Sequence, residues 1–188
     1  MPSADASVRS AAVNDAPAVG QVQALVWQEA YDGIVPAQVH AAFDPQAFAG
    51  AWRDALRTPP EGVHRLLVAC AADQVVGFVA IGPSQDPDAG QTTGEVTALG
   101  VHPHHRRQGH GSRLLNAAVD VLREAGAEHV AAWCLVEHEG VRAFLTGSGL
   151  MPDGAFRDRV ISPEEDTARE VRLVATLTEG ATPPESPE

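Results

Sequence analysis

The 188-residue chain contains no lysine, so its 13 basic residues are all arginine, and they face 25 acidic residues. The resulting net charge of −12 at pH 7 repels phosphate and disfavours general binding to DNA, RNA or anionic membranes. Cysteine is scarce as well. Cys70 and Cys134 each lie in an apolar run, where a cysteine is usually a small buried hydrophobe. Neither a disulfide nor a metal site is expected.

Long apolar runs are also missing. No stretch approaches the roughly 18 residues that a membrane-spanning helix needs, and the N-terminal segment is too polar for a secretory signal. We therefore expect a cytoplasmic protein. The final residues combine proline and acid without periodicity. The sequence thus predicts flexible tails at 1–6 and 178–188 around a single domain at 7–177.

Between the tails, the hydrophobic pattern alternates between helical and extended spacing. It predicts an α+β domain in which a mixed sheet contains one parallel strand–helix–strand crossover around 95–136. Helices are expected at about 14–30, at 36–56 with a break near Asp44-Pro45, from Gly111 onward and at Glu139–Ser148. Strands are expected at Val8–Ala12, Arg65–Ala71, Val75–Ile81, Glu95–Val101, His129–Val136, Ala155–Val160 and Ala168–Leu177, with turns at Asp73-Gln74 and 149–154.

One segment, Val96–Val119, contains no acidic residue in this acidic chain. A strand ends at Val101, and Gly109 and Gly111 flank the start of a helix, where four backbone N–H groups are unpaired and about half a positive charge develops. Glycine there lets the backbone approach a ligand closely. The segment lacks the third glycine of a dinucleotide fingerprint and the lysine of a P-loop. It therefore predicts a phosphate cradle of another type.

The same residues resemble a known family. LGVHPHHRRQGHGSRLL (99–115) resembles the acetyl-CoA-binding motif of the GNAT N-acetyltransferases. WCLVEHEGVRAFLTGSGLMPDG (133–154), EVRLVATL (170–177) and LVWQEAYDGIVP (25–36) resemble the family's later motif, closing strand and opening helix. The resemblance implies a mixed, mostly antiparallel sheet flanked by helices. It also implies direct transfer of acetyl from acetyl-CoA to a primary amine of a small molecule or peptide.

The resemblance further implies which residues hold the cosubstrate. Backbone groups of Leu99, Gly100 and Val101 would pair with the amides of the pantetheine arm. Arg106 and Arg107 would add charge-assisted contacts to the diphosphate. The diphosphate itself would rest on the N–H groups of Arg107, Gln108, Gly109, His110, Gly111 and Ser112.

Three residues are candidates for the chemistry. Glu95, at the start of the central strand, matches a position where many family members carry a glutamate that serves as general base. His138 replaces the family's asparagine, so it is a candidate for a pantetheine contact or for the general acid. Leu145 replaces the usual acidic tyrosine, which leaves water or the sole tyrosine, Tyr31, as other proton donors. For Tyr31, a packed ring or one that lines the acceptor pocket is favoured over a proton donor.

Other functions remain open at this point. The substitutions at the His138 and Leu145 positions are compatible with a non-catalytic or regulatory CoA-binding module of the same fold. A family member that acylates charged tRNA is disfavoured by the net charge. His102, His104, His105 and His110 do not have a standard metal-ligand spacing, so we expect a solvated rim rather than a metal site. The resemblance also allows a homodimer formed through the late strands.

Overall fold

The computed structural model describes residues 6–178, which form a seven-stranded sheet covered by helices on both faces. The predicted tails lie mostly outside these residues. The strands are β1 (Ala6–Ser10), β2 (Arg65–Ala71), β3 (Gln74–Pro83), β4 (Thr93–Val101), β5 (His129–Leu135), β6 (Met151–Val160) and β7 (Thr167–Thr176). The helices are α1 (Ala16–Ala30), α2 (Ala37–Ala41), α3 (Pro45–Arg57), α4 (His110–Glu124) and α5 (Glu139–Gly147).

The strand order is β1-β2-β3-β4-β5-β7-β6. Neighbouring strands pair antiparallel, except for β4 and β5, which are parallel and are connected through α4. The mixed, mostly antiparallel α+β fold expected from the sequence is thereby confirmed.

The helical region around 36–56 divides where the sequence places Asp44-Pro45. The Asp44 carboxylate accepts a hydrogen bond from Ala47 N at 2.8 Å, and Pro45 occupies the first turn of α3, where a missing N–H costs nothing. Helix α3 then packs on α1 at Gly20. A Cβ at Gly20 would lie 2.5 Å from the Pro45 carbonyl oxygen, so only glycine permits this approach of the two helices.

Several predicted boundaries are wrong by one to four residues, three of them at positions with distinctive local geometry. Strand β1 covers Ala6–Ser10 rather than Val8–Ala12, because Ala12 N already donates to the Asp15 carboxylate and the chain turns there into α1. The hairpin turn falls at residues 72–73, with Ala72 at a φ of 51°, one position before the predicted turn. Strand β6 begins at Met151, inside the predicted turn, and its pairing with β7 is interrupted between Pro152 and Phe156.

Two apolar clusters hold helices on opposite faces of the sheet. On the α4 face, Leu114, Leu115 and Leu122 pack on sheet residues such as Val130 and Leu173. On the α1 face, Phe78 is fully buried beneath Val19 and Val22, with the Trp27 and Trp52 rings about 6 Å away. Burying such a phenylalanine contributes roughly 2–3 kcal/mol. The two free cysteines are buried, Cys134 in the α4-face cluster and Cys70 in the α1-face cluster.

Within the part of the chain that the structure describes, no helix combines the length and apolar character that a membrane crossing requires.

Candidate active site

The two parallel strands separate halfway along their length. They pair from Thr93 opposite His129 to Val96 opposite Ala132, and the pairing then stops. Strand β4 nevertheless stays paired with β3 as far as Val101, and β5 stays paired with β7 as far as Leu135. The register of β4 against β3 skips Thr97, a bulge at the point of separation. Residues 97–101 therefore have no strand partner on the β5 side, which leaves a wedge-shaped opening in the sheet.

The start of α4 supplies a row of free backbone donors at the wide end of this opening. Gly109 has a φ of +81° and Arg107 a φ of +62°, so the loop curls before the helix begins. Among residues 6–178, the N–H groups of 107–112 find no acceptor, and the first paired one is Arg113 N, which donates to Gly109 O at 3.1 Å. Six unpaired donors at a helix N-terminus fit an anion such as a diphosphate. The free donors expected at this position are present, and their role as a phosphate cradle stays a prediction.

The Arg106 side chain is directed elsewhere than the sequence suggested. Its Nη1 donates to the Glu29 carboxylate at 2.7 Å, and its Nε donates to the Val101 carbonyl at 3.2 Å. The positive charge of Arg106 is therefore paired with the Glu29 carboxylate of α1, and its contact with a diphosphate stays a prediction. The side chain of Arg113 folds back onto the loop, since its Nη1 donates to Gln108 O at 3.1 Å. Gln108 and Ser112 are exposed, as is Arg107.

Three histidines lie in the loop before α4 and His110 is the first residue of the helix, with ring centroids 5.3 Å apart for His102 and His104 and 5.5 Å apart for His102 and His105. His110 differs from the expected solvated rim because only 4% of it is exposed. Its Nδ1 has no hydrogen-bond partner among the described residues. Burial, followed by the charge of Arg113, lowers the pKa of His110. No group of three metal-binding side chains assembles within residues 6–178.

Glu95 lies at the narrow end of the opening, where β4 is still paired with β5. Its side chain is half-buried on the α1 face and accepts a hydrogen bond from Ser84 Oγ at 3.1 Å. Burial raises the pKa of the Glu95 carboxyl, while the hydrogen bond from Ser84 opposes that effect. A carboxylate with a raised pKa is a stronger base than an exposed one, and it can accept a proton from an amine nearby.

Tyr31 and His138 form the opposite border of the same face. Their rings meet edge-on with centroids 6.3 Å apart, and Tyr31 also contacts Phe43 at 5.5 Å. Burial raises the pKa of Tyr31, so its hydroxyl keeps its proton. His138 Nε2 lies 2.6 Å from the Ala30 carbonyl oxygen. Because a carbonyl only accepts, this nitrogen carries the hydrogen, and it ties the end of α1 to the start of α5.

Several polar residues of this face were missed in the sequence. Arg157 on β6 lies over the Trp133 ring, with Cζ 4.2 Å from its centroid, and its Nε donates to the buried Glu170 carboxylate at 2.6 Å. Beside them is a cavity of about 530 Å³, with Asp86 and Arg172 in its lining. The sequence did indicate that Arg157 and Arg159 lie on the same face of the sheet, because residues two positions apart in a strand share one face.

Comparisons with known proteins agree with this geometry. A profile described as "Acetyltransferase (GNAT) family" matches residues 24–149. A mycothiol acetyltransferase of Kineococcus radiotolerans is 33% identical over 130 residues, which cover 64% of this chain and 41% of that protein. The chain thus spans less than half the length of the curated relatives it matches.

Solved structures show the same fold. A GNAT-family acetyltransferase from Desulfovibrio desulfuricans has a TM-score of 0.67 at 18% identity, covering 92% of this chain and 99% of that one. The structure of yncA from Salmonella typhimurium with acetyl-CoA has a TM-score of 0.64 at 18% identity, covering 96% and 99%. The separated strands, the free donors of α4 and the sequence match lead to one conclusion: the chain belongs to the GNAT family of acetyltransferases, whose cosubstrate is acetyl-CoA.

Proposed function

We propose that the protein transfers an acetyl group directly from acetyl-CoA to a primary amine of a small molecule or peptide. One observation supports this above all. The opening between β4 and β5 has six free N–H donors at its wide end and a half-buried carboxylate with a raised pKa at its narrow end. Such an arrangement can hold a diphosphate at one end and deprotonate an amine at the other.

The cosubstrate would lie along the opening. Backbone groups of Leu99, Gly100 and Val101, free of a strand partner on the β5 side, would pair with the pantetheine amides. The N–H groups of 107–112 would hold the diphosphate, with Arg107 and Arg113 contributing positive charge. Arg106 contributes by fixing the loop to α1 through Glu29.

Glu95 accepts a proton from the ammonium form of the acceptor, and the free amine attacks the thioester carbonyl. A C–N bond forms and the C–S bond breaks, so the thiolate leaves and takes a proton from water or from Tyr31, while the amide nitrogen loses its remaining extra proton to solvent. Leu145 supplies no proton, because it is an apolar side chain packed in the core at 3% exposure. His138 serves as a positioning residue through its bond to Ala30.

A CoA-binding module without catalysis is the alternative, and the Leu145 position favours it. A thiol-release assay combined with calorimetry distinguishes the two functions. Purified protein is mixed with acetyl-CoA and a panel of primary amines, and free thiol is followed with a chromogenic reagent. Amine-dependent thiol release is expected. Tight CoA binding by calorimetry together with no release above the amine-free control would contradict the proposed transfer and favour the binding module.

A further inference from the structure

A mostly apolar cavity of about 290 Å³ lies on the α1 face, between α3 and strands β2 and β3. Trp52 and Leu56 line it from α3, and Leu66 and Ala80 line it from the sheet. Its volume is near the lower end of the range for small-molecule sites, roughly 300–1,000 Å³. Among the described residues that line this cavity, the α3 cleft, none is acidic, although the chain contains 25 acidic residues.

The α3 cleft reaches the point where β4 and β5 separate. Thr97 lines the cleft, and it is the bulged residue that directly follows the last β4–β5 pair, at Val96. Ile81 also lines the cleft and pairs with Val96. The cleft therefore comes within two residues of Glu95 along β4. It also adjoins residues 97–101, where the proposed thioester arm would lie.

His64 connects the α3 cleft with Glu95. Its side chain lines the cleft, and a Cβ built on Gly82 would lie 3.0 Å from both Nδ1 and Cε1 of the imidazole. Gly82 pairs with Glu95, and directly opposite residues point to the same face with Cβ positions about 5 Å apart. The imidazole Nδ1 therefore lies within about 8 Å of Glu95 Cβ. Two hydrogen bonds of about 2.8 Å and the Glu95 side chain span this distance, so one nitrogen atom can contact both groups.

Both groups can accept further hydrogen bonds. Oε2 of Glu95 accepts a hydrogen bond from Ser84, and a carboxylate has about four acceptor sites in all. His64 bonds through its backbone, since its N donates to Gly62 O at 3.0 Å and its O accepts from Arg65 Nη1 at 2.8 Å. Its imidazole has no hydrogen-bond partner in the part of the chain that the structure describes. An ammonium group has three N–H donors, so it can bond to both side chains.

We infer that the α3 cleft binds the acceptor, and that the acceptor is a primary amine on an uncharged apolar arm. This inference rests on the proposed acetyl transfer and specifies its substrate class. The acceptor nitrogen lies between Glu95 and His64, beside Thr97, and the arm packs against Trp52 in the cleft. Burial of the arm favours binding in proportion to its apolar area. Arg65, an exposed residue of the lining, repels a second ammonium group on the arm.

The test compares three primary amines of equal chain length: heptylamine, 2-(2-methoxyethoxy)ethylamine and 1,6-diaminohexane. Thiol release gives kcat/KM for each with the unmodified protein. Heptylamine should exceed both of the others by about tenfold or more, because burial of several methylene groups is lost when the arm is polar or charged. If the protein acetylates any amine and heptylamine does not exceed both, the inference is overturned and the proposed transfer stands. No release with any amine would overturn both.

Ala55→Phe places a large side chain in the α3 cleft at a helical position that lines it. It should lower kcat/KM for heptylamine about tenfold, because the ring occupies the space of the arm. Ala51→Phe, one turn earlier on α3 at an exposed position, is the matched control and should leave this value unchanged. Equal values for heptylamine in the two variants would overturn the place of the arm.

His64→Leu keeps an apolar side chain over Gly82 and removes the hydrogen-bonding nitrogens. It should lower kcat/KM about tenfold for heptylamine and for ethylamine alike, since both present the same nitrogen, and His64→Gln should restore part of the loss. CoA affinity in calorimetry should stay unchanged, because His64 lies away from the donors of α4. Full activity of His64→Leu with both amines would overturn the position given to the acceptor nitrogen.

Discussion

At the scale of single residues, the environment of Glu95 sets the pH range of the chemistry. Burial raises the pKa of its carboxyl, so the residue loses its proton at higher pH than a glutamate in water. A general base must be deprotonated to act. Activity should therefore fall as the pH drops through this raised pKa, in addition to any loss from protonation of the acceptor amine itself.

Glu95→Gln should lower kcat/KM about 10²-fold or more, because the amide cannot accept the amine proton. It should also remove the part of the pH profile that belongs to Glu95, measured by thiol release across the acidic range. Glu124→Gln, an exposed change at the end of α4, is the control and should keep the profile. A Glu95→Gln variant with the full rate would contradict the role of Glu95 as the general base.

At the scale of elements, the cradle depends on how the chain enters α4. Gly109 and Gly126 both have positive φ, of +81° and +87°, and they lie at the two ends of this helix. Alanine at either position costs about 1 kcal/mol, because a Cβ disfavours the left-handed conformation. Of the two glycines, only Gly109 lies among the residues whose backbone N–H groups are free, so only there would the strain of alanine disturb these donors.

Gly109→Ala should therefore weaken CoA binding about tenfold or more in calorimetry, since the loop must distort the donors to relieve the strain. Gly126→Ala should lose a similar free energy of unfolding and keep its CoA affinity. Equal affinities in the two variants would show that the cradle does not bind the cosubstrate.

The contact between α1 and α3 gives a second prediction at this scale. Alanine at Gly20 would place its Cβ within 3 Å of the backbone of α3, so the helices must move apart at a cost of about 1–3 kcal/mol. Gly50→Ala within α3 meets nothing within 4 Å and should instead stabilise by about 0.5–1 kcal/mol through helix propensity. Urea denaturation measures the free energy of unfolding of both variants. A loss in Gly20→Ala together with a gain in Gly50→Ala would show that close helix packing, and not alanine itself, causes the loss.

At the scale of the whole molecule, Arg172 joins parts of the chain that are distant in sequence. From β7 it pairs with Asp86 and Asp88 in the β3–β4 loop and with Asp153 on β6, and its side chain is 12% exposed. It thereby holds the β3–β4 loop, which contacts Glu95 through Ser84, against β6 and β7. The hydrogen bonds to Asp88 and the other carboxylates raise the pKa of Arg172, so its charge is permanent.

Arg172→Gln should lower the free energy of unfolding by about 2 kcal/mol, because it removes the arginine closer to the Asp86 carboxylate and leaves only Arg157, at 3.8 Å, to pair with it. Arg169→Gln on the same strand removes an exposed arginine paired with the exposed Asp158, and solvent screening should make its effect much smaller. Urea denaturation of the two variants compares them directly. Similar losses would contradict the joining role of Arg172.

Much of this molecule followed from local patterns in the sequence. The division at Asp44-Pro45, the apolar runs of β2 and β3 and the glycines before α4 each act within a few residues. The helices and strands that these patterns predict are confirmed, with ends that differ by one or two residues. The start of β6 was wrong by four residues, because the turn residues Pro152 and Gly154 are carried within a strand whose pairing with β7 is irregular.

The amino-acid sequence alone determined the fold class through its periodicity, the family through its resemblance to known motifs, and the row of free N–H groups before α4 through its glycines, since all of these are properties of short segments. The tertiary structure decided which side chains meet. It paired Arg106 with Glu29 from α1, tied His138 to Ala30, buried His110 and brought Arg157 over Trp133. The three contacts join residues that are far apart in the sequence, so they form only when the folded sheet brings their elements together. Ion pairs and burial therefore depend on the tertiary structure rather than on neighbouring residues in the chain.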